Sequence, residues 1–300
     1  MRYALDGIVG LLETFLAQDG ENEVLPHEAV RSDLAGIQLL QTPLAGCSSA
    51  DDPLYRLLKR PEAVGRWHYL PADWLPGART VLSFFFPFAE EVRSSNALGE
   101  REPSPQWLHA RIEGQAVIGR ACQFLAKSLR DAGWLAVVPA LDPRFSAVEP
   151  AGSNPLFPPE ASYTSLWSER HVAYVSGLGT FGLSKSLITA KGTCGRFASV
   201  ITDMPCPPTH RAYSGLYEYC SFCGACVRRC PTGAISLETG KSHPLCSSFV
   251  DWTKEAFAPR YGCGKCQTGV PCQAGIPAGN HGTKDSSGLP AVPPDMPGPV

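Results

Sequence analysis

The sequence predicts an α+β core followed by a small cysteine-rich module. Three observations predict this organisation. Helical and strand-like apolar patterns alternate over roughly the first two hundred residues. Eight of the twelve cysteines crowd between positions 220 and 272. From 273 to 300 the chain holds six Pro and five Gly and few large apolar residues, which predicts a disordered tail. The expected boundaries are 1–206 for the core, 207–277 for the module and 278–300 for the tail.

Composition bounds the function classes. Of 300 residues, 44% are hydrophobic and 18% charged, enough for a sizeable core and too apolar for wholesale disorder. The formal net charge of −2 argues against a broadly basic nucleic-acid surface. No run of 18 apolar residues exists to span a membrane. The first apolar segment, Leu5 to Leu16, is interrupted by Asp6 and Glu13. It therefore predicts an amphipathic helix, not an export signal, and a cytoplasmic location.

The elements follow in order. Leu5, Ile8, Val9, Leu12, Phe15 and Leu16 have helical spacing. Pro76-Gly77 marks a turn, and Arg79 to Phe86 is a buried-strand pattern closed by Pro87. Residues 105–131 form a long amphipathic helix through Leu108, Ile112, Val117, Ile118, Phe124, Leu125 and Leu129, ended by Gly133. Trp134 to Val138 is the next strand. Residues 139–162 are Pro-rich and irregular, long enough for a lid or an insertion. A helix from about Leu166 to Ser176, a Gly-rich loop and a strand from Phe197 to Thr202 complete the core.

The cysteine spacing carries the chemistry. Cys220-Ser-Phe-Cys223-Gly-Ala-Cys226-Val-Arg-Arg-Cys230-Pro231 is C-x2-C-x2-C-x3-C-P, the bacterial ferredoxin spacing for a [4Fe–4S] cluster. In two-cluster ferredoxins the cysteine before proline reaches the other cluster. A second set follows in Cys246, Cys263, Cys266 and Cys272. Eight thiolates supply two complete sites: Cys220, Cys223, Cys226 and Cys272 for one, and Cys230, Cys246, Cys263 and Cys266 for the other. Zinc could use the same residues, but zinc ribbons prefer two separated C-x2-C knuckles. Cys47, Cys122, Cys194 and Cys206 lie outside any such spacing, and Cys122 fits a buried small hydrophobe.

Gly177-Leu-Gly179-Thr-Phe-Gly182 matches G-x-G-x-x-G, with Asp203 downstream. A dinucleotide site needs a strand before this motif and a helix after it. Here Ser168 to Tyr174 more readily begins a helix, with Gly177 as its C-terminal cap, and the segment to Gly192 is too short for a crossover helix.

Trp167-Ser-Glu-Arg-His-Val-Ala-Tyr-Val-Ser-Gly-Leu-Gly-Thr-Phe-Gly-Leu183, then Leu187-Ile-Thr, Ser199-Val-Ile-Thr-Asp203 and the dicluster motif, resemble epoxyqueuosine reductase and its relatives, the reductive dehalogenases among them. Leu75-Pro-Gly-Ala-Arg-Thr-Val-Leu82 also looks like that family's N-terminal region. The resemblance covers roughly 70–277. It implies a nitroreductase-like α/β sandwich core, a ferredoxin-like double-cluster module, and electron delivery from two [4Fe–4S] clusters to a corrinoid, cobalamin. The corrinoid-side residues would be Gly177, Gly179, Gly182, Thr202 and Asp203. The family's acidic stretch before Gly-Leu-Gly is replaced here by Ala161-Ser-Tyr-Thr.

Reduction of a substrate also needs a proton delivered beside the electron source. Tyr163 and His171 are the first candidates by position, with Tyr174 and Glu169 behind them; Arg170 and Lys185 could bind an anionic group. The functional expectation is an iron–sulfur oxidoreductase that takes electrons from a ferredoxin or flavodoxin and passes them to a corrinoid or small-molecule acceptor. No membrane or nucleic-acid partner is expected. The alternative is a non-catalytic electron-transfer or corrinoid-handling protein that serves a partner enzyme.

Overall fold

The computed structural model describes residues 5–18, 20–149 and 152–278. In the core, α1 (Leu5–Leu16), β1 (Leu44–Ser49), α2 (Leu54–Leu57), α3 (Pro71–Trp74), β2 (Thr80–Pro87), α4 (Glu90–Ala97) and α5 (Pro105–Asp131) are followed by β3 (Ala136–Val137), β4 (Ala147–Val148), β5 (Thr164–Ser165), α6 (Glu169–Val175), β6 (Gly179–Phe181), β7 (Leu187–Thr189) and β8 (Gly195–Thr202). The cysteine-rich part holds α7 (Ala225–Arg229), β9 (Ile235–Ser236), β10 (Gly240–Lys241) and α8 (His243–Ala256).

The main sheet has the order β1-β2-β8-β3 and is antiparallel throughout. Its register pairs Cys47 with Leu82, Leu82 with Val200 and Val137 with Ile201. Strand β2 is buried along its whole length, which explains its unbroken apolar run: both faces are covered. Leu82, Phe84 and Phe86 pack with Ala198 and Val200 against α1 and α5. Val81 and Ile201 pack on the other face against Tyr55, Trp74, Trp167 and Val172. Phe85 joins Ala173, Phe181 and Leu187. Each fully buried Phe of this strand contributes about 1.5–3 kcal/mol. Helices on both faces of an antiparallel sheet make the core α+β.

Local sequence explains most boundaries. Helix α5 starts where the Ser104 side chain accepts from Trp107 N at 3.2 Å, with Pro105 in the first turn. The expected strand at 134–138 shrinks to Ala136–Val137, because Trp134 N donates back to Leu129 O and Leu135 N donates to the Asp203 carboxylate. Strand β1 has no sequence signal: Gly46, Cys47, Ser48 and Ser49 are weak strand formers, and pairing with β2 makes the strand. The irregular 139–162 segment contributes only a short helical turn and β4, which pairs with β5. The tail expected from 278 onward falls outside the described residues except for its first position.

Candidate redox site

The tight cysteine run is laid out by one glycine and one short helix. Gly224 takes a left-handed conformation (φ 70°) at the start of α7, which seats Cys226 in the helix while Cys220 and Cys223 stay in the preceding loop. Cys230 follows the helix, and its sulfur accepts from Ala234 N at 3.2 Å. Cys246 lies on α8, whose N-terminus is capped by Ser242. Cys263, Cys266 and Cys272 come from the loop after α8.

These eight thiols line two pockets. Cys220, Cys223, Cys226 and Cys272 line a narrow one of about 20 Å³. Cys230, Cys246, Cys263 and Cys266 line one wall of a cavity of about 580 Å³. Among the described residues, no three His, Cys, Asp or Glu side chains are placed to hold a single metal ion. Burial, with neighbouring thiols, pushes Cys226 and Cys263 up to about 12, and burial foremost pushes Cys272 up to about 11. Such thiols are poor anions alone; bound iron would supply the positive charge that holds them as thiolates. Two sets of four cysteines thus each line one pocket, donor chemistry that suits iron–sulfur ligation.

The second set is anchored to the core by one buried and one half-buried cation. Lys265, between Cys263 and Cys266, is fully buried. Its Nζ donates to the carbonyls of Asn96, Leu98 and Gly99 at 2.9, 3.0 and 3.1 Å. Arg229, beside Cys230, donates to the carbonyls of Ala97 at 3.1 Å and Thr268 at 3.2 Å. Both cations thus meet the C-terminal end of α4, where the helix dipole favours positive charge. Asn96 completes the joint by donating to Cys263 O at 3.2 Å and Thr268 Oγ1 at 3.1 Å.

The larger cavity opens between this thiol set and the core. Arg111 from α5, Arg170 from α6, Arg196 from β8 and Lys241 from β10 line it, with Trp107, Trp167, Phe197 and Phe249 among its apolar walls. Among the described residues none of these four cations has a carboxylate partner. Burial, then the nearby Arg111 charge, draws Arg196 down to about 9. Glu169 also lines the cavity. Its carboxylate lies near the Ser199 hydroxyl, which accepts from Trp167 Nε1 at 2.9 Å. Both of its buried oxygens lack a hydrogen-bond partner, and burial raises Glu169 to about 7.

The other residues singled out in the sequence do not gather there. Tyr163 has a positive φ of 52° and stacks on His243, ring centroids 5.2 Å apart, outside the cavity lining. His171 is buried, with Nδ1 2.7 Å from Ser168 Oγ and its ring against Phe181. Burial holds it well below the usual histidine range, so it stays neutral.

The five positions expected to cradle a corrinoid are engaged by the chain itself. Gly177 (φ 82°) ends α6 in a Schellman turn, with Leu178 N bonded to Ala173 O. The motif thus follows a helix and leads into a strand, the reverse of a dinucleotide fingerprint. A Cβ on Gly179 would lie 1.9 Å from Ile188 O of the paired strand. One on Gly182 would lie 3.2 Å from Ile188 Cδ1. Thr202 Oγ1 donates to Leu135 O at 2.7 Å, and Asp203 accepts from Leu135 N at 2.7 Å. The glycines serve close packing of the β6–β7 hairpin, and Thr202 and Asp203 hold β3. Sequence reasoning overlooked Lys265, Arg111 and Arg196; the one available signal was a lysine set between two cysteine ligands.

Comparison with known proteins now has a geometry to meet. A family model described as a 4Fe-4S binding domain matches residues 216–236. An epoxyqueuosine reductase of Bacillus anthracis is 31% identical over 125 residues, 38% of this chain and 32% of that protein. A trichloroethene reductive dehalogenase of Dehalococcoides mccartyi is 38% identical over 66 residues, 21% of this chain and 12% of that protein. A crystal structure of epoxyqueuosine reductase with a tRNA stem loop gives a TM-score of 0.48 at 19% identity, over 77% of this chain and 61% of that chain. The matched segment is about a third of the length of the epoxyqueuosine reductases. No described helix is long and apolar enough to cross a membrane. Residues 216–236 thus match a 4Fe-4S binding domain, and the chain is similar in sequence to part of the epoxyqueuosine reductases.

Proposed function

We propose that this chain is an iron–sulfur oxidoreductase that passes electrons through two [4Fe–4S] clusters to a small anionic acceptor. The observation that carries the proposal is the cavity of about 580 Å³ with four cysteines on one wall and Arg111, Arg170, Arg196 and Lys241 around it. When bound, the clusters would supply electrons singly. The four cations attract and orient a negatively charged acceptor, and the aromatic walls keep water from it. Glu169, buried and protonated up to about pH 7, holds a proton at the same cavity.

The two thiol sets differ in a way that gives the path a direction. Cys223 of the first set is exposed, which suits entry from a ferredoxin or flavodoxin donor. The second set adjoins the cavity, which suits exit to the acceptor. This reading divides the chain into a nitroreductase-like core over 1–206, supported by the antiparallel sheet with helices on both faces, and a ferredoxin-like module over 207–277. A small molecule is favoured over a corrinoid. Cavities of about 300–1,000 Å³ suit drug-sized ligands, and this one is about 580 Å³.

The test is metal and acid-labile sulfide analysis of anaerobically reconstituted protein, with electron paramagnetic resonance after reduction. About eight iron atoms per chain and two signals are expected. Small organic anions that can be reduced should perturb the signal of the second cluster and leave the first unchanged. Stoichiometric zinc without sulfide would overturn the cluster reading. Anions that alter neither signal nor reoxidation rate would overturn the acceptor site.

A further inference from the structure

We infer that Cys47 and Cys206 form a reversible dithiol–disulfide pair, a redox site separate from the eight module cysteines, oxidised by small disulfides. The two residues are far apart in the chain, yet their sulfurs lie 3.1 Å apart. A covalent bond at about 2.05 Å needs an approach of only about 1 Å. Cys47 Sγ also donates to Pro207 O at 2.8 Å, which aims its thiol at the segment carrying Cys206.

The backbone on both sides is fixed, so the proximity belongs to the fold. Cys47 N donates to Thr209 Oγ1 at 2.9 Å, and Thr209 N donates to Cys47 O at 2.8 Å. Cys206 N donates to Thr80 Oγ1 at 3.2 Å, and that hydroxyl donates to Met204 O at 2.7 Å. Cys47 is buried and Cys206 partly exposed, so reagents enter at Cys206. Cys122 and Cys194 are both fully buried, and Cys194 Sγ donates to Gln267 O at 2.8 Å.

The exchange balances in two steps. The Cys206 thiolate attacks one sulfur of oxidised glutathione, forms a mixed disulfide and releases one glutathione thiolate. Cys47 then gives its proton to that thiolate or to solvent and displaces the second glutathione. Two protein thiols become one disulfide, and one glutathione disulfide becomes two thiols. Burial, then the hydrogen bond and charge of Cys47, pushes Cys206 up to about 12. The attacking thiolate is therefore scarce at neutral pH, and the first step should accelerate about tenfold per pH unit. Closure ties residues 206–209, the approach to the cluster module, covalently to β1.

The test uses the full holoprotein, kept anaerobic and equilibrated with oxidised and reduced glutathione at several ratios and pH values. It is then quenched with an alkylating reagent and cut with trypsin. Cys47 falls in the peptide Ser32–Arg56 and Cys206 in Phe197–Arg211, each with no other cysteine. The expected product is these two peptides joined, lighter than their sum by two hydrogens, with iron content unchanged and the rate of its appearance before equilibrium rising with pH. Excess reduced glutathione should reverse it, and in Cys206→Ser Cys47 should stay unmodified. Recovery of both thiols alkylated at every ratio would overturn the inference. So would a Cys206–glutathione adduct that persists beside a free Cys47.

Discussion

Replacing Lys265 with Met tests the joint that holds the second cysteine set to the core. The change keeps the length of the buried stem and removes the three donors of Nζ. Leu98 O then loses its hydrogen bond, while Asn96 O and Gly99 O keep long contacts from Arg229 at 3.4 and 3.5 Å. Leu98 and Gly99 are exposed, so their carbonyls can turn to water, and losing the three bonds costs about 0.5–1.5 kcal/mol each. Burial, with Arg229 next, lowers the Lys265 pKa, so the variant also regains some desolvation energy. The net loss is about 2 kcal/mol. On the proposed cluster assignment, iron would leave through transient opening of the loop that carries Cys263 and Cys266. A 2 kcal/mol loss in closing makes release to a chelator about 30-fold faster when opening and closing are rapid. The assay follows anaerobic bleaching of the visible cluster absorbance with excess chelator, and records resonance spectra of quenched samples. The second signal should disappear first. A rate within about threefold of the parent, or simultaneous loss of both signals, would refute the clamp.

Three further outcomes follow. Cys226→Ala and Cys230→Ala should each remove a different resonance signal, because they lie in different pockets; identical spectra would break the partition. Folded Glu169 keeps its proton to about pH 7, against 4.5 for the ordinary group, so the folded chain binds the extra proton between these values. That stabilisation is complete below 4.5 and is lost as pH rises through about 7, by up to about 3 kcal/mol. Glu169→Gln should flatten this fall in denaturant midpoints between pH 5 and pH 8, and parallel profiles would reject the buried-carboxyl account. Gly179→Val should destabilise the β6–β7 hairpin by at least about 2 kcal/mol whether or not a cofactor is added, since its Cβ would meet Ile188 O at 1.9 Å; an unchanged melting temperature would contradict the packing.

What could be read from sequence depended on how local each constraint is. The first cysteine run spans only Cys220 to Cys230, and cluster ligation requires a short fixed spacing, so the chemistry is written in adjacent residues. Strand β2 was legible because burial on both faces leaves an uninterrupted apolar run. Strand β1 was not, because Gly46, Cys47 and Ser48 acquire their conformation from the partner strand. The same distinction explains the glycine segment. Its pattern suggests a cofactor cradle, yet each glycine answers a separate short-range demand: a left-handed helix end at Gly177 and a backbone contact at Gly179.

The cavity follows from the opposite case. Arg111, Glu169, Arg196, Lys241 and Cys246 come from five elements, and no periodicity links them. Each alone fits a solvated charge or a lone ligand, and only the packing of the cysteine module on the core turns them inward together. Lys265 makes the dependence concrete. A lysine beside cysteine ligands looks like a surface charge until the end of α4 supplies three carbonyls to it. The module is therefore positioned in part by polar contacts at a helix terminus. Such a joint fixes direction as well as distance, and that is what a cavity shared between a thiol set and four cations requires.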